Sequence, residues 1–177
     1  MSIRDEIKAR IGEGRLHYLP PTIGGDTVVR HMLVTTEIHN ALNAIEDLPL
    51  MDVKRIARWR ADLDAFSNGS EITMSFKPYK KPSSTFMART DPVSDSIWDI
   101  RSRDPKPGIR VLGGFSEADV FICLDWGYRN QYGGPGSREW RDFIVRSKTL
   151  WTQLFNGYKR VSGEDVSNYV SKKYTVV

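Results

Sequence analysis

Apolar residues recur along the chain at helical spacing in some stretches and at alternating spacing in others, and the changes of period divide it into elements. Ile3, Ile7 and Ile11 fall on one helical face. Ser2 followed by Asp5 and Glu6 gives that helix an N-terminal cap, and Gly12 with Gly14 ends it. Residues 15–19 read as a short strand stopped by Pro20-Pro21, and Ile23-Gly24-Gly25 as a loop. The stretch 27–34 stays open between strand and helix, with Thr27, Val28, Val29 and Val34 favouring a strand through β-branching. Thr35-Thr36-Glu37 then caps a helix expected to reach Leu48, with Ile38, Leu42 and Ile45 inward and Pro49 as its stop. Asp52 is the expected N-cap of the next helix, in which Val53, Ile56, Trp59, Leu63 and Phe66 repeat at helical spacing until Asn68-Gly69. The two segments predict an antiparallel helical hairpin.

Beyond the hairpin the period changes to two. Ile72, Met74 and Phe76 alternate with Thr73, Ser75 and Lys77, the pattern of a half-buried strand. Residues 77–84 (KPYKKPSS) form a basic loop, residues 85–89 a further strand, and Asp91-Pro92 a turn. From Ser96 to Arg129 three apolar runs follow: residues 97–101 (IWDIR), 109–112 (IRVL) and 120–124 (VFICL). Asp104-Pro105-Lys106-Pro107-Gly108 separates the first two, because proline lacks the donor a central strand needs. Gly113-Gly114 and residues 116–119 separate the next two. Asn130 to Gly136 is a loop. Ser137 caps an amphipathic helix with Trp140, Phe143, Ile144, Ser147, Trp151 and Leu154 along one face, and Asn156-Gly157 closes it. Residues 161–169 predict a short helix capped by Ser162, and the Lys172-Lys173-Tyr174 tail is expected to fray or to bind a partner. The expected fold class is α+β: a helical hairpin packed on an antiparallel meander of four to five strands, with a C-terminal amphipathic helix. The whole chain, 1–177, reads as a single domain with an N-terminal extension at 1–34 and a C-terminal tail at 158–177.

Composition narrows the function classes. With 177 residues, 40% apolar, the chain has material for a real core. A net charge of +4 permits phosphate contacts without demanding them. Cys123 is alone, so no internal disulfide is available, and its apolar setting reads as a small buried hydrophobe. No run has the length of a membrane span, and the charged start MSIRDEIKAR lacks the apolar core of a signal peptide, so a cytoplasmic protein with no membrane partner is expected. His17, His31 and His39 lack metal spacing, and no HExxH, cysteine cluster, P-loop, dinucleotide fingerprint or Gly-x-Ser-x-Gly elbow occurs. No metal site and no cofactor is expected.

The hairpin, the meander and the C-terminal helix, with IWDIR, GIRVLGGF and DVFICLDWGYR as central strands, resemble the RelE/ParE/HigB-type toxin superfamily over about residues 35–155. In that resemblance an arginine-bearing strand is followed by an apolar strand ending in aromatic-x-x-Arg. The known members are shorter, and the segments before residue 34 and after residue 157 have no counterpart in the minimal fold. The resemblance implies a toxin acting on the translation machinery, through RNA or the ribosome, or on topoisomerase, with a protein antitoxin as partner. Its RelE-type members cleave mRNA without metal, through attack of a 2′-hydroxyl on the neighbouring phosphate. It implies Arg101, Arg110 and Arg129 as charge stabilisers, Lys81 or Lys80 as proton-transfer group, and Tyr128 as secondary acid or stacking platform. ParE-type members keep the fold without the RNase residues, so the resemblance leaves activity open.

Read as residues alone, Arg101, Arg103, Arg110 and Arg129 are either a basic binding rim or a solvated strand face paired to Asp99, Asp104 or Asp125. Lys77, Tyr79, Lys80 and Lys81 are either a phosphate-and-base contact loop or an ordinary exposed loop. Trp126, beside Tyr128 and Arg129, is a candidate nucleic-acid contact, whereas Trp98, Trp140 and Trp151 read as core. The alternative to a toxin is a non-enzymatic module of phage or mobile-element origin that binds nucleic acid or protein through the basic rim or the tail. The oligomeric state is open.

Overall fold

The computed structural model describes residues 1–23, 25 and 27–177; the expected loop at Ile23-Gly24-Gly25 includes Gly24, outside the described residues. A single sheet of eight strands runs through the molecule. In chain order the elements are α1 (Ile3–Gly12), β1 (Leu16–Tyr18), β2 (His31–Thr35), α2 (Thr36–Asn43), α3 (Leu50–Ser67), β3 (Ile72–Ser75), β4 (Met87–Arg89), β5 (Trp98–Ser102), β6 (Ile109–Glu117), β7 (Val120–Tyr128), α4 (Arg138–Leu154) and β8 (Tyr174–Val176). The strand order is β1-β2-β7-β6-β5-β4-β3-β8. β2 pairs parallel with β7, and β3 pairs parallel with both β4 and β8; the remaining neighbours are antiparallel.

The sheet separates two apolar layers, as alternation along its strands requires. Met32 and Val34 of β2, Trp98 and Ile100 of β5, and Phe121 and Cys123 of β7 pack with Ile56, Trp59, Leu63 and Phe66 of α3. Leu33, Leu112 and Ile122 point the other way, against Ile7 of α1 and Phe143, Ile144, Trp151 and Leu154 of α4. The hairpin of α2 and α3 therefore covers one face and α1 with α4 the other.

This corrects the expected meander of four to five antiparallel strands. The three central runs do form neighbouring antiparallel strands, β5-β6-β7, but β6 continues through Gly113-Gly114, expected as a break, to Glu117, β7 runs on to Tyr128, and the three lie inside a mixed sheet nearly twice as wide. The reason is physical: alternation marks where a strand lies but carries no information on its neighbours. β2 and β7 are brought side by side only by folding. Of the open stretch 27–34, only the part from His31 on forms β2, whose donor–acceptor row is completed by β7, while residues 27–30 are irregular. α2 stops at Asn43, leaving Ile45 exposed, and α3 starts at Leu50 behind Pro49, so Asp52 lies in its first turn and accepts a hydrogen bond from Arg55.

The terminal segments are also part of this architecture. Instead of the short helix expected at residues 161–169, one 3-10 turn forms at Val166–Asn168, capped by Asp165. Instead of fraying, the last residues form β8 beside β3. Arg30, fully buried, anchors them: its guanidinium lies 5.2 Å from the Phe66 ring centroid and donates to the carbonyls of Phe66 and Ser70 at the end of α3, and to those of Lys172 and Lys173 in the tail. Tyr169, also fully buried, meets Phe76, Trp98 and Phe115 edge-on and donates its hydroxyl proton to the Gly163 carbonyl. Truncating such a side chain removes its contacts and leaves a cavity. Tyr169→Ala is expected to lose about 3–5 kcal/mol of unfolding free energy in urea titration, whereas a frayed tail would give no measurable loss.

Candidate nucleic-acid interface

Asp99, Arg101 and Arg110 stand on the α1/α4 face because they alternate with the inward-facing Trp98, Ile100 and Val111. Arg101 and Arg110 are direct cross-strand partners, and Asp99 lies opposite Leu112. Like charges facing each other across strands are unfavourable. Here both guanidiniums lean on one carboxylate: Arg110 Nη1 lies 2.7 Å from Asp99 Oδ2 and Arg101 Nε 3.5 Å from the same atom. The Asp99 side chain is 6% exposed and the two arginine side chains 16% each. Two cations thus share one buried anion, leaving a net positive charge in a weakly solvated place. Asp99 Oδ1 and Arg101 Nε are buried without a hydrogen-bond partner.

Above this floor the sheet face is only partly covered. α4 packs over β6 and β7, and the loop at residues 77–84 folds in from the β3–β4 side. Between them is a narrow cleft of about 70 Å³. Lys81 lines it and donates to the Pro78 carbonyl of its own loop. Burial holds the Lys81 ammonium below the ordinary lysine range, helped by Arg101 and Arg110 and opposed by Asp99. Burial also lowers Arg101, with Asp99 opposing and Arg110 and Arg103 adding to the effect; arginine starts so high that it stays charged. Arg129 completes the far side, where it donates to the carbonyls of Tyr132 and Gly133. The residue across from Arg110 is Gly127, where a Cβ would come within 2.0 Å of the Tyr132 hydroxyl, so glycine is required for Tyr132 to lie over this strand.

A second trough meets the first at Arg101, Arg110 and Arg129 and continues past Arg103 and Lys106 to Asn130. Arg103 donates to the Thr85 carbonyl there. The structure therefore brings together Lys81, Arg101, Arg110, Arg129, Tyr79 and Arg103. Lys77 and Lys80 are exposed on the loop and do not line either hollow.

Tyr128 and Trp126 lie on the opposite face. β7 carries one extra residue where Leu112 pairs with Asp125 but Gly113 pairs with Cys123. Such a bulge reverses the facing of everything beyond it. Without it Trp126 and Tyr128 would share the side of Ile122 and Leu124. With it, Trp126 stacks on Trp59 at 4.9 Å, and Tyr128 lies under the Arg55 guanidinium at 5.9 Å, its hydroxyl held high by burial and by Asp52. Gly113 serves the same irregularity, since a Cβ there would sit 2.2 Å from the Ile122 carbonyl oxygen.

Three lining residues escaped the sequence reading. Asp99 was legible only as a pairing partner, although an acid two positions before an arginine on a strand is a signal that both share a face. Trp140 reads as core from its helical spacing, yet it is half-buried at the cleft wall. Arg89 also lines the cleft, but its guanidinium is occupied elsewhere, bidentate on Glu164 at 2.9 and 2.8 Å and 4.8 Å from the Phe76 ring centroid. Among the described residues no three His, Cys, Asp or Glu side chains gather as metal ligands, and no helix is long and apolar enough to cross a membrane. No family model, curated protein or solved structure matches the chain.

Removing the shared anion leaves two half-desolvated cations facing each other. Asp99→Asn is expected to cost about 3 kcal/mol in chemical denaturation. Combining it with Arg110→Met should cost less than the sum of the two single changes, and strict additivity in that double-mutant cycle would show that the pair is not coupled.

Proposed function

We propose that the protein is a toxin-like protein that takes RNA into this cleft and cleaves it without a metal ion. The observation that carries the reading is the cross-strand pair Arg101–Arg110 on a single buried carboxylate, next to a lysine whose proton is held weakly. An uncompensated positive floor favours a ligand that brings negative charge, and guanidinium forks suit phosphate oxygens. A lowered lysine pKa increases the share of neutral amine able to accept a proton. The resemblance to RelE-type toxins points to the same arginines and to Lys81, but Tyr128, which it also implies, lies on the other face.

In this mechanism the neutral Lys81 amine takes the proton of a ribose 2′-hydroxyl. The 2′-oxygen forms a bond to the adjacent phosphorus while the bond from phosphorus to the 5′-oxygen breaks. Arg101 and Arg110 stabilise the negative charge that develops on the phosphoryl oxygens, and Arg129 holds the flanking strand. The leaving 5′-oxygen takes a proton from solvent. The products are a 2′,3′-cyclic phosphate and a 5′-hydroxyl end. A protein antitoxin would then block the cleft with acidic residues.

A second reading is favoured by the placement of Tyr128. With that ring on the α3 face, Tyr128 is lost as acid beside the arginines, and the Tyr79 hydroxyl at the cleft is engaged by Asp91, so the cleft can act as a non-enzymatic nucleic-acid-binding module of phage or mobile-element origin. It would bind RNA with a steep salt dependence and leave it intact.

Induced expression in a bacterial host separates the two. Growth arrest with RNA carrying cyclic-phosphate ends supports cleavage, and Arg101→Ala with Arg110→Ala should abolish both. Arrest undiminished in that double variant would remove these arginines from the site. The proton balance makes a further prediction. A bound phosphate favours charged Lys81, so RNA affinity should fall as pH rises through the Lys81 pKa, beginning below the ordinary lysine range. Lys81→Arg should remove that fall within the accessible alkaline range, as followed by fluorescence anisotropy from neutral to alkaline pH.

A further inference from the structure

The two walls of the cleft carry aromatic rings. Tyr79 stands on the loop over the β4 side, 44% exposed, its hydroxyl anchored on Asp91 at 2.9 Å. Trp140 stands in the first turn of α4, over the β7 side, with its backbone N–H on the Ser137 hydroxyl at 3.1 Å. Tyr132 and Phe143 hold the Trp140 ring edge-on, at centroid distances of 6.0 and 5.8 Å. Pro78 and Pro135 flank the same space. Both rings thus line the cleft, one from the loop wall and one from the α4 wall, and each is held in place by a neighbour. Phosphate binding alone does not need aromatic walls, whereas a base offers a flat π-face to stack on them. The floor between the walls carries Arg101 and Arg110 on the single carboxylate of Asp99. A nucleotide supplies a phosphate for the charge left over.

We infer that Tyr79 and Trp140 clamp one unpaired base of a single-stranded nucleic acid, while Arg101, Arg110 and Arg129 hold the phosphates on either side. The inference rests on the proposed RNA reading and narrows it: a duplex, whose bases are stacked and paired, does not fit the clamp. The trough past Arg103 and Lys106 carries the next phosphates onward.

The test compares oligonucleotides with the same number of phosphates: a short single-stranded RNA, the same RNA with an abasic residue at each position in turn, its DNA counterpart and the RNA duplex. The intact single strand should bind roughly 5- to 150-fold more tightly than the strand lacking the clamped base, the range of one base stack. DNA bound as tightly as RNA keeps the clamp and removes the sugar from recognition, and tight RNA binding with weak DNA binding adds the 2′-hydroxyl to it. Tyr79→Leu and Trp140→Leu should erase the preference for the base while leaving the salt dependence in place, and Trp140→Phe should retain it. Trp59, Trp98 and Trp151 are buried and Trp126 is stacked on Trp59, so quenching of tryptophan fluorescence by RNA should vanish in Trp140→Phe. Equal affinity for intact and abasic strands in the wild-type protein overturns the clamp even if a variant fails to fold. Tight binding that depends on Arg101 and Arg110 but not on bases would overturn the clamp alone. Absence of binding to every strand would overturn the RNA reading and the clamp with it.

Discussion

Two guanidiniums on neighbouring strands cannot occupy the same face of a sheet without a counter-charge between them, and everything about the cleft follows from the way Asp99 meets that constraint. One carboxylate for Arg101 and Arg110 is enough to let the strands pair and too little to neutralise the floor. Aliphatic side chains at these positions would give an ordinary sheet face that a helix could cover. With them charged, covering the floor would desolvate an unmatched cation, at a cost of several kcal/mol per ion. The cleft above the floor and the half-matched charges below it are thus one feature seen from two sides.

The wide mixed sheet makes that exposure affordable to the fold. The α2–α3 hairpin shields the opposite face, where Trp59, Trp98, Phe66 and Phe115 bring large apolar area together. α1 and α4 shield the β1, β2 and β7 side of the near face. Arg30 and Tyr169 bind the tail into the first of these layers, which lengthens the sheet beyond β3. The large apolar contacts lie away from the cleft, and the segments that line it, residues 77–84 and 129–136, connect strands and helices and are held by hydrogen bonds such as Tyr79 to Asp91 and Arg129 to the Tyr132 and Gly133 carbonyls.

Some side chains near the cleft have the right chemistry and the wrong position. Tyr128 precedes Arg129 and follows Trp126, and in sequence the three read as one contact surface. The single extra residue in β7 turns Trp126 and Tyr128 through the sheet, so that Arg129 alone reaches the cleft. The same irregularity makes room for Tyr132, which braces Trp140. The bulge therefore exchanges one set of aromatic residues at the site for another.

The sequence by itself determined the elements whose signal is local. Helical spacing from Val53 to Phe66 and from Trp140 to Leu154 marked α3 and α4, and the alternation in IWDIR and GIRVL marked β5 and β6 with their arginines on one face. Short-range geometry sufficed because hydrogen bonding and side-chain direction in these elements repeat every few residues. Tertiary structure alone decided the parallel neighbours β2–β7 and β3–β8, the side on which Tyr128 falls and the joining of Lys81 and Tyr79 to Trp140 across the floor. Those outcomes depend on contacts between segments far apart in the chain and on one bulge. A one-residue change of register reverses every side chain beyond it, and no local pattern in LDWGYR records that reversal.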